Sequence, residues 1–221
     1  MKNLIKMMLV VAVIFATSNA NAQGDLNFGV NAGVTTSNMF FSYDDDDDDF
    51  EDYGATIGYT VGVTVEYGIT DVLYLQSGLS LLTKGAESEV IYNEEGINYT
   101  VDTKLKPMYL QMPINIAYKF QIGETTKINL NGGPYLAYGI GGKVTAKAGG
   151  HKEEIDFFGG EDDEDSLGAK SFDFGLGFGA GVEFGKISVN LGYHYGLMSF
   201  SRYDGETAIN GSAALTVGYK F

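Results

Sequence analysis

The sequence has no cysteine, no tryptophan and only three prolines among its 221 residues. Without cysteine the chain forms no disulfide and carries no lipid on a cysteine after a cleaved leader, which is compatible with export but does not demonstrate it. Basic residues are scarce, because 14 Lys and Arg stand against 29 Asp and Glu and the formal net charge is −15. No basic patch is present that would attract a polyanion, so we expect no nucleic-acid partner.

Long apolar runs are missing as well. Beyond the N-terminal segment no stretch approaches the ~18 consecutive apolar residues that indicate a membrane-spanning helix. The N-terminal segment has a basic start at Lys2 and Lys6, an apolar run over residues 7–16 and a small-residue cleavage site at residues 20–22. These parts are typical of a secretory signal, and the apolar run has about half of the ~20 residues that an anchor needs. We therefore predict that residues 1–22 are a cleaved signal peptide.

The chain does have a strict alternation of residue types, which is clearest over residues 172–197. From Phe172 to Phe184 every even-numbered residue is apolar and every odd-numbered residue is glycine or acidic, and the alternation resumes after the turn at residues 185–186. Successive side chains of a strand point to opposite faces, so this period of two predicts strands. At ~3.3 Å per residue and a tilt of ~40°, about 12 residues span roughly 30 Å. The pattern predicts transmembrane strands with large apolar residues outward and small or polar residues inward.

The same alternation and the lengths of the connections predict the whole architecture. Eight strands are predicted, at residues 26–35, 56–67, 72–83, 108–120, 127–144, 172–184, 187–197 and 210–221. Short connections at 68–71, 121–126 and 185–186 alternate with long ones near 37–55, 84–107, 147–170 and 199–209. Bacterial barrels have an even number of strands, short periplasmic turns and long external loops. We predict that residues 23–221 form one all-β domain, a closed eight-stranded antiparallel outer-membrane β-barrel with its last strand paired to its first.

Two places in this pattern are irregular. Pro113 lies on the inward side of a predicted strand, where a missing amide usually marks a bulge or an edge. The glycines of residues 132–142 also suggest bulges and leave the facing of side chains beyond Pro134 open. Elsewhere the inward positions are small, and an eight-stranded interior is just wide enough for side chains, so we expect a packed lumen.

Four charged residues are candidates for a site inside the barrel: Glu66, Lys119, Glu183 and Lys220. Each directly precedes an outward aromatic residue at the periplasmic end of its strand, so all four should face the lumen at nearly the same depth. An unpaired charge there would cost several kcal/mol, whereas Glu–Lys contacts would offset that cost. We predict an ionic plug that closes the periplasmic mouth. The alternative is four solvated residues at the rim.

Other polar features carry weaker expectations. Two acidic segments, 44–52 and 153–165, lie in predicted external loops; they lack the spaced pattern of a calcium loop, so we expect poorly ordered, solvated loops with weak binding of divalent cations. His151 and His194 are the only histidines, and no neighbouring residue is placed to form a catalytic pair with either. No glycine-rich phosphate motif or metal-spaced set is present. We expect no enzyme activity, no cofactor and no specific metal site.

Several segments resemble a known family. They are Tyr74–Leu81, Tyr109–Asn115, Gly133–Gly139, Gly177–Phe184 and Gly218–Phe221. Together they are similar to the outer-membrane β-barrel ("porin family", PorT-like) domain common in Bacteroidetes. The resemblance implies location in the outer membrane, and the outward aromatic at the last residue implies recognition by the barrel assembly machinery. The family's name implies no demonstrated pore, and a minority of PorT-like proteins act in type IX secretion.

From these observations we expect a non-conducting barrel, surrounded by outer-membrane lipid, whose external loops have a structural or surface-interaction role. One alternative is a narrow channel or transporter for small solutes. The other, an accessory component of protein secretion, depends on the resemblance alone.

Overall fold

The structure, a computed structural model, describes residues 26–43, 51–52, 54–94, 97–149, 151–160, 165–203 and 205–221. These residues form twelve strands: β1 (Leu26–Tyr43), β2 (Glu51–Asp52), β3 (Gly54–Gly68), β4 (Leu73–Thr83), β5 (Ala86–Glu94), β6 (Ile97–Gln121), β7 (Thr126–Ala148), β8 (His151–Phe158), β9 (Ser166–Ala169), β10 (Phe172–Phe184), β11 (Ile187–Gly196) and β12 (Glu206–Lys220). The described residues include no helix long and apolar enough to cross a membrane. The predicted signal peptide lies outside them.

Eight of these strands close into an antiparallel ring. The order around the ring is β1, β3, β4, β6, β7, β10, β11 and β12. β12 then returns to β1, with Tyr219 opposite Val30 and Glu206 opposite Tyr43. The predicted all-β, eight-stranded antiparallel fold is confirmed, and so is the pairing of the last strand with the first.

The ring is apolar outside and polar inside, as the alternation predicts. On β10, Leu176 and Phe178 are 50% and 63% exposed on the outer face, whereas Asp173 and Glu183 are buried on the inner face. A soluble β-protein has the opposite arrangement. The outer face can therefore be stable only in an apolar surrounding, because exposed apolar patches of this extent are not tolerated in water.

The ring strands β6 and β7 continue beyond the predicted barrel. β6 has 25 residues and β7 has 23, and their upper halves pair with β5 and β8. Their inner side packs a hydrophobic cluster that includes Leu105 and Phe157. The loops predicted near residues 84–107 and 147–170 are therefore largely sheet, because this buried inner face stabilises the added strands.

The prediction that the loops 37–55 and 147–170 are poorly ordered is wrong for part of each loop. Residues 37–43, 151–158 and 166–169 lie in β1, β8 and β9. The run Asp44–Asp49 and residues 161–164 lie outside the described residues.

One bulge interrupts the ring, between β6 and β7. Met108 is opposite Gly141 and Tyr109 is opposite Gly139, so Ile140 has no counterpart on β6. The predicted bulge in this glycine-rich segment is confirmed, and the outward facing of even-numbered residues persists up to it.

No bulge occurs at Pro113, contrary to expectation. Its strand keeps the same register with β4 and with β7 on either side of the proline, and only a few ladder pairs are missing there. The proline removes one donor without shifting the pairing.

The bulge generates a prediction about Gly142. Its φ is +138°, and a Cβ built there would lie 2.4 Å from the Cα of Pro107. We expect Gly142→Ala to reduce the free energy of unfolding by about 1–3 kcal/mol, the usual cost of such a strained residue. Urea unfolding of the refolded protein measures it. The matched control is Gly132→Ala, whose Cβ would meet its nearest atom at 3.4 Å; equal losses in both variants would contradict the argument.

Candidate functional site in the barrel lumen

The four predicted lumen charges meet at the end of the barrel that carries the short turns. Lys119 Nζ lies 2.5 Å from Glu66 Oε2 and 2.6 Å from Glu183 Oε1. Lys220 Nζ lies 3.1 Å from Glu66 Oε1 and 2.8 Å from Glu183 Oε1. Each ammonium thus bridges both carboxylates. We call this closed, alternating arrangement of Glu66, Lys119, Glu183 and Lys220 the ionic ring.

Two further side chains, both from β4, contact the ionic ring. Gln76 Nε2 donates a hydrogen bond of 2.7 Å to Glu66 Oε2, and the Nζ of Lys119 lies 4.6 Å from the centre of the Tyr74 ring. Both residues have the inward parity that the alternation predicts for this strand. Hydrogen bonds and cation–π contact offset the loss of hydration that burial imposes on these charges.

A second charged pair closes the lumen at the other end of the barrel. Lys84 Nζ lies 2.6 Å from Asp173 Oδ2, and the two side chains are 0% and 1% exposed. Asn210 Nδ2 donates to the same oxygen at 3.3 Å, and the Tyr135 hydroxyl donates to it at 3.3 Å. The Nζ of Lys84 also lies 4.9 Å and 4.7 Å from the ring centres of Tyr109 and Tyr135. We call Lys84 and Asp173 the upper ion pair.

Sequence reasoning does not identify the upper ion pair. Asp173 has inward parity at the start of an alternating strand, which is a signal for a lumen charge. Its partner is harder to find, because Lys84 follows the end of β4 in a segment predicted as loop. β4 and β10 are not neighbours in the ring, so the contact crosses the lumen and depends on closure of the whole barrel.

A hydrophobic cap lies above the upper ion pair. Its buried members come from six strands and from the segment before β12, and they are Met39, Phe41, Ala86, Leu105, Phe157, Ala169, Phe200 and Ala208. Phe158 packs its ring edge against Tyr109, with ring centres 5.4 Å apart, and so joins the cap to the upper ion pair. The external mouth is therefore closed by an apolar layer as well as by a charged one.

Between the two charged layers lies a polar cavity of about 200 Å³, which we call the chamber. Its lining reaches Glu66, Glu183 and Lys220 at one end and His194 at the other, and amide and hydroxyl side chains provide half of its lining residues. Gln111 and Asn129, both buried in that wall, have side-chain oxygens without a hydrogen-bond partner within the protein. The chamber therefore offers acceptors to a small polar occupant such as water.

The two histidines lie in different surroundings. His194 faces the lumen and packs edge-to-face on Tyr135, with ring centres 5.4 Å apart. His151 is exposed on β8, opposite Ala148. In the part of the chain that the structure describes, no group of three or more acidic or histidine side chains could hold a metal ion.

Acidic side chains of the second external segment contact lysines of the same hairpin. Glu154 Oε1 lies 2.6 Å from Lys152 Nζ, and Asp156 Oδ1 lies 3.4 Å from Lys143 Nζ. The hydrogen bond from Lys152 lowers the pKa of the Glu154 carboxyl from its usual value. These exposed pairs contribute little to stability, but they leave fewer free carboxylates for a divalent cation.

Comparison with known proteins agrees with the fold. The model of the outer membrane protein β-barrel domain family matches residues 17–202. No curated protein matches the sequence. Similar solved structures include OprG from Pseudomonas aeruginosa, with 12% identity over 90% of this chain and 97% of that one and a TM-score of 0.41. Neisserial surface protein A has 15% identity, 88% and 97% coverage and a TM-score of 0.39. Ail of Yersinia pestis has 15% identity, 88% and 98% coverage and a TM-score of 0.33.

The ionic ring generates a stability prediction. Lys119→Ala leaves two buried carboxylates with Lys220 as their single cation, and we expect a loss of about 3–5 kcal/mol in the free energy of unfolding, typical of a broken buried pair. Lys220→Ala is the comparison, because that side chain is 23% exposed and water can reach the site, so the loss should be smaller. Urea unfolding measures both, and a larger loss for Lys220→Ala would contradict this view of the ring.

The upper ion pair generates a prediction of recovery. Asp173→Leu alone leaves a buried ammonium without its carboxylate and should cost about 3–5 kcal/mol, whereas a buried pair replaced by apolar residues is often neutral. The double variant Lys84→Met with Asp173→Leu should therefore regain most of the loss. Urea midpoints of the two single variants and the double variant measure the coupling; strictly additive losses would show that the two charges are not coupled.

Proposed function

Because the chain belongs to the outer membrane protein β-barrel domain family, we propose that it is a non-conducting outer-membrane barrel with a structural or surface-interaction role. In this proposal residues 1–22 direct export and are cleaved. Outer-membrane lipid surrounds the wall, and the barrel assembly machinery recognises the C-terminal Phe221. The protein has no cofactor and catalyses no reaction.

The observation that carries this proposal is the presence of two charged layers at different depths of one lumen. Asp173 and Glu183 are ten residues apart on β10, which corresponds to about 25 Å of height at ~3.3 Å per residue and a tilt of ~40°. An ion that crossed the barrel would have to separate the ionic ring, the upper ion pair and the hydrophobic cap in turn. Each step would separate charges that are now paired or expose apolar surface that is now buried, so the closed lumen is the stable state.

The external strands support the interaction role. β5 to β8 present a face of alternating charge, with Lys104 Nζ 2.8 Å from Glu87 Oε2 and Lys152 paired to Glu154. The hydrogen bond from Lys104 lowers the pKa of the Glu87 carboxyl, so that pair stays ionised down to mildly acidic pH. We propose that this face meets partners at the cell surface, and that the acidic segments bind divalent cations only weakly.

A narrow channel for small solutes is the second candidate. The chamber favours it, because a space of about 200 Å³ lined in part by amide and hydroxyl side chains could hold water or a small solute. Conduction would require rearrangement of both charged layers.

The narrower PorT-like assignment implies a third role, as an accessory component of protein secretion. It depends on the five sequence segments alone, and a pull-down from the outer membrane that returns secretion components would support it. A pull-down that returns none of them would leave the surface role in place.

A conductance series tests the closed lumen. In a planar bilayer the wild-type protein should give no steady current, and Lys84→Ala and Lys119→Ala should each remain closed because the other layer still blocks the lumen. The triple variant Lys84→Ala with Lys119→Ala and Phe157→Ala should conduct, since both charged layers have then lost a cation and the hydrophobic cap has lost a buried ring. Lys152→Ala, on the exposed β8, is the control for a lysine outside the lumen.

Two results would decide against the proposal. The first is a steady wild-type current that Lys119→Ala leaves unchanged, which would favour the narrow channel. The second is a triple variant that folds, as shown by its heat-dependent migration in electrophoresis, and still passes no current.

A further inference from the structure

The bulge at Ile140 changes which residues of β7 face outward. Below it the even-numbered residues Tyr138 and Ile140 are exposed on the outer face, at 58% and 37%. Above it the register shifts by one, so that Lys143 faces outward and Val144 faces the hydrophobic cluster inside. A one-residue insertion turns the side chains that follow it to the other face of the sheet. Without the bulge, a charge would point at the cap and a valine at the exterior.

Lys143 lies beside a second lysine, on the neighbouring strand β6. Lys106 is directly opposite Lys143 in the β6–β7 pairing. Lys106 lies outward too, because its neighbours Leu105 and Pro107 are buried on the inner side. Like charges directly opposite each other destabilise a sheet, so an anion between the two lysines would stabilise the pairing.

The protein itself supplies only part of the negative charge that would offset these two lysines. Asp156 lies 3.4 Å from Lys143, but the two side chains are 56% and 63% exposed and such pairs contribute little. Among the described residues Lys106 has no ion pair, although its charge adds to the effect of Lys104 in lowering the pKa of the Glu87 carboxyl on β5. A cleft of about 430 Å³ opens at the same bulge and is lined by Ile140, Gly142 and Asp156, the partner of Lys143.

The height of the two lysines identifies the source of the anion. Lys106 is two residues above Met108 on the outward face that continues through Met112 and Tyr118, which are exposed apolar residues of the barrel wall. Two residues correspond to about 5 Å of height at ~3.3 Å per residue and a tilt of ~40°. Side chains at this level reach the headgroups, where lipid phosphates lie, rather than the acyl chains.

We propose that Lys106 and Lys143 bind a phosphate group of an outer-leaflet lipid on the outer wall of the barrel. The proposal takes only the outer-membrane location from the proposed function, and it holds whether or not the lumen conducts. The phosphate would sit between the two ammonium groups and relieve their repulsion. The bulge would then serve to build this site as well as to seal the cap.

Native mass spectrometry of the detergent-solubilised protein with bisphosphorylated lipid A tests the proposal. The double variant Lys106→Gln with Lys143→Gln should bind the lipid about 30-fold more weakly, the factor that corresponds to roughly 1 kcal/mol for each lysine near an anionic surface. Monophosphorylated lipid A should bind the wild type less tightly than the bisphosphorylated form. Salt at 0.5 M should weaken wild-type binding, because exposed charges are screened.

The control is the double variant Lys152→Gln with Lys186→Gln. It removes the same charge from a lysine further up the external sheet and from the exposed β10–β11 turn, and it should bind as the wild type does. Inorganic phosphate alone, at millimolar concentration, should neither bind detectably nor displace the lipid.

Three outcomes would overturn the proposal: equal binding by the two double variants, binding that ignores the number of lipid phosphates, or displacement by inorganic phosphate, which would indicate a site for free phosphate. If the first double variant fails to fold, Lys106→Gln alone keeps the Lys143–Asp156 pair intact and should still weaken binding several-fold.

Discussion

The whole structure depends on the need to pair every backbone amide and carbonyl in an apolar surrounding. In lipid an unpaired group costs several kcal/mol, so a sheet that crosses the membrane must close on itself. Here closure is made by β12 against β1 through a continuous register from Gly29 to Tyr43. Once the ring has eight strands, its interior is just wide enough for side chains, and whatever points inward must be small or must find a partner. The glycine-rich inner face, the ionic ring and the upper ion pair all follow from that geometry.

The parts of this fold that depend on local order are visible in the sequence. Period-two alternation identifies the strands, because each residue's facing is set by its own parity. The ionic ring is equally local in origin: each of its four members precedes a terminal aromatic, and the depth of that aromatic is fixed by the membrane interface. Depth and facing together suffice to bring Glu66, Lys119, Glu183 and Lys220 near one another, without knowledge of which strand lies beside which.

The parts that depend on distant contacts are not visible. Lys84 meets Asp173 only because closure brings β4 opposite β10, and no pattern along either strand encodes that. The external extension is hidden for a different reason. Above the membrane the outward residues of β6 are polar or charged, among them Lys104 and Lys106, whereas the inward residue Leu105 is apolar and buried. The apolar side of the alternation thus changes from even to odd positions within one strand. A pattern that changes phase in this way reads as a loop, although the backbone remains paired.

The composition of the ionic ring bears on how the barrel is completed. Three of its members lie on β3, β6 and β10, and these carry two carboxylates for one ammonium. The fourth, Lys220, lies near the end of β12, the strand that closes the barrel. Electrical neutrality of the ionic ring is thus reached only when β12 is in place. An open sheet that lacked β12 would keep an uncompensated negative charge facing its own interior, and so the last strand brings to the fold the counter-charge as well as the missing edge.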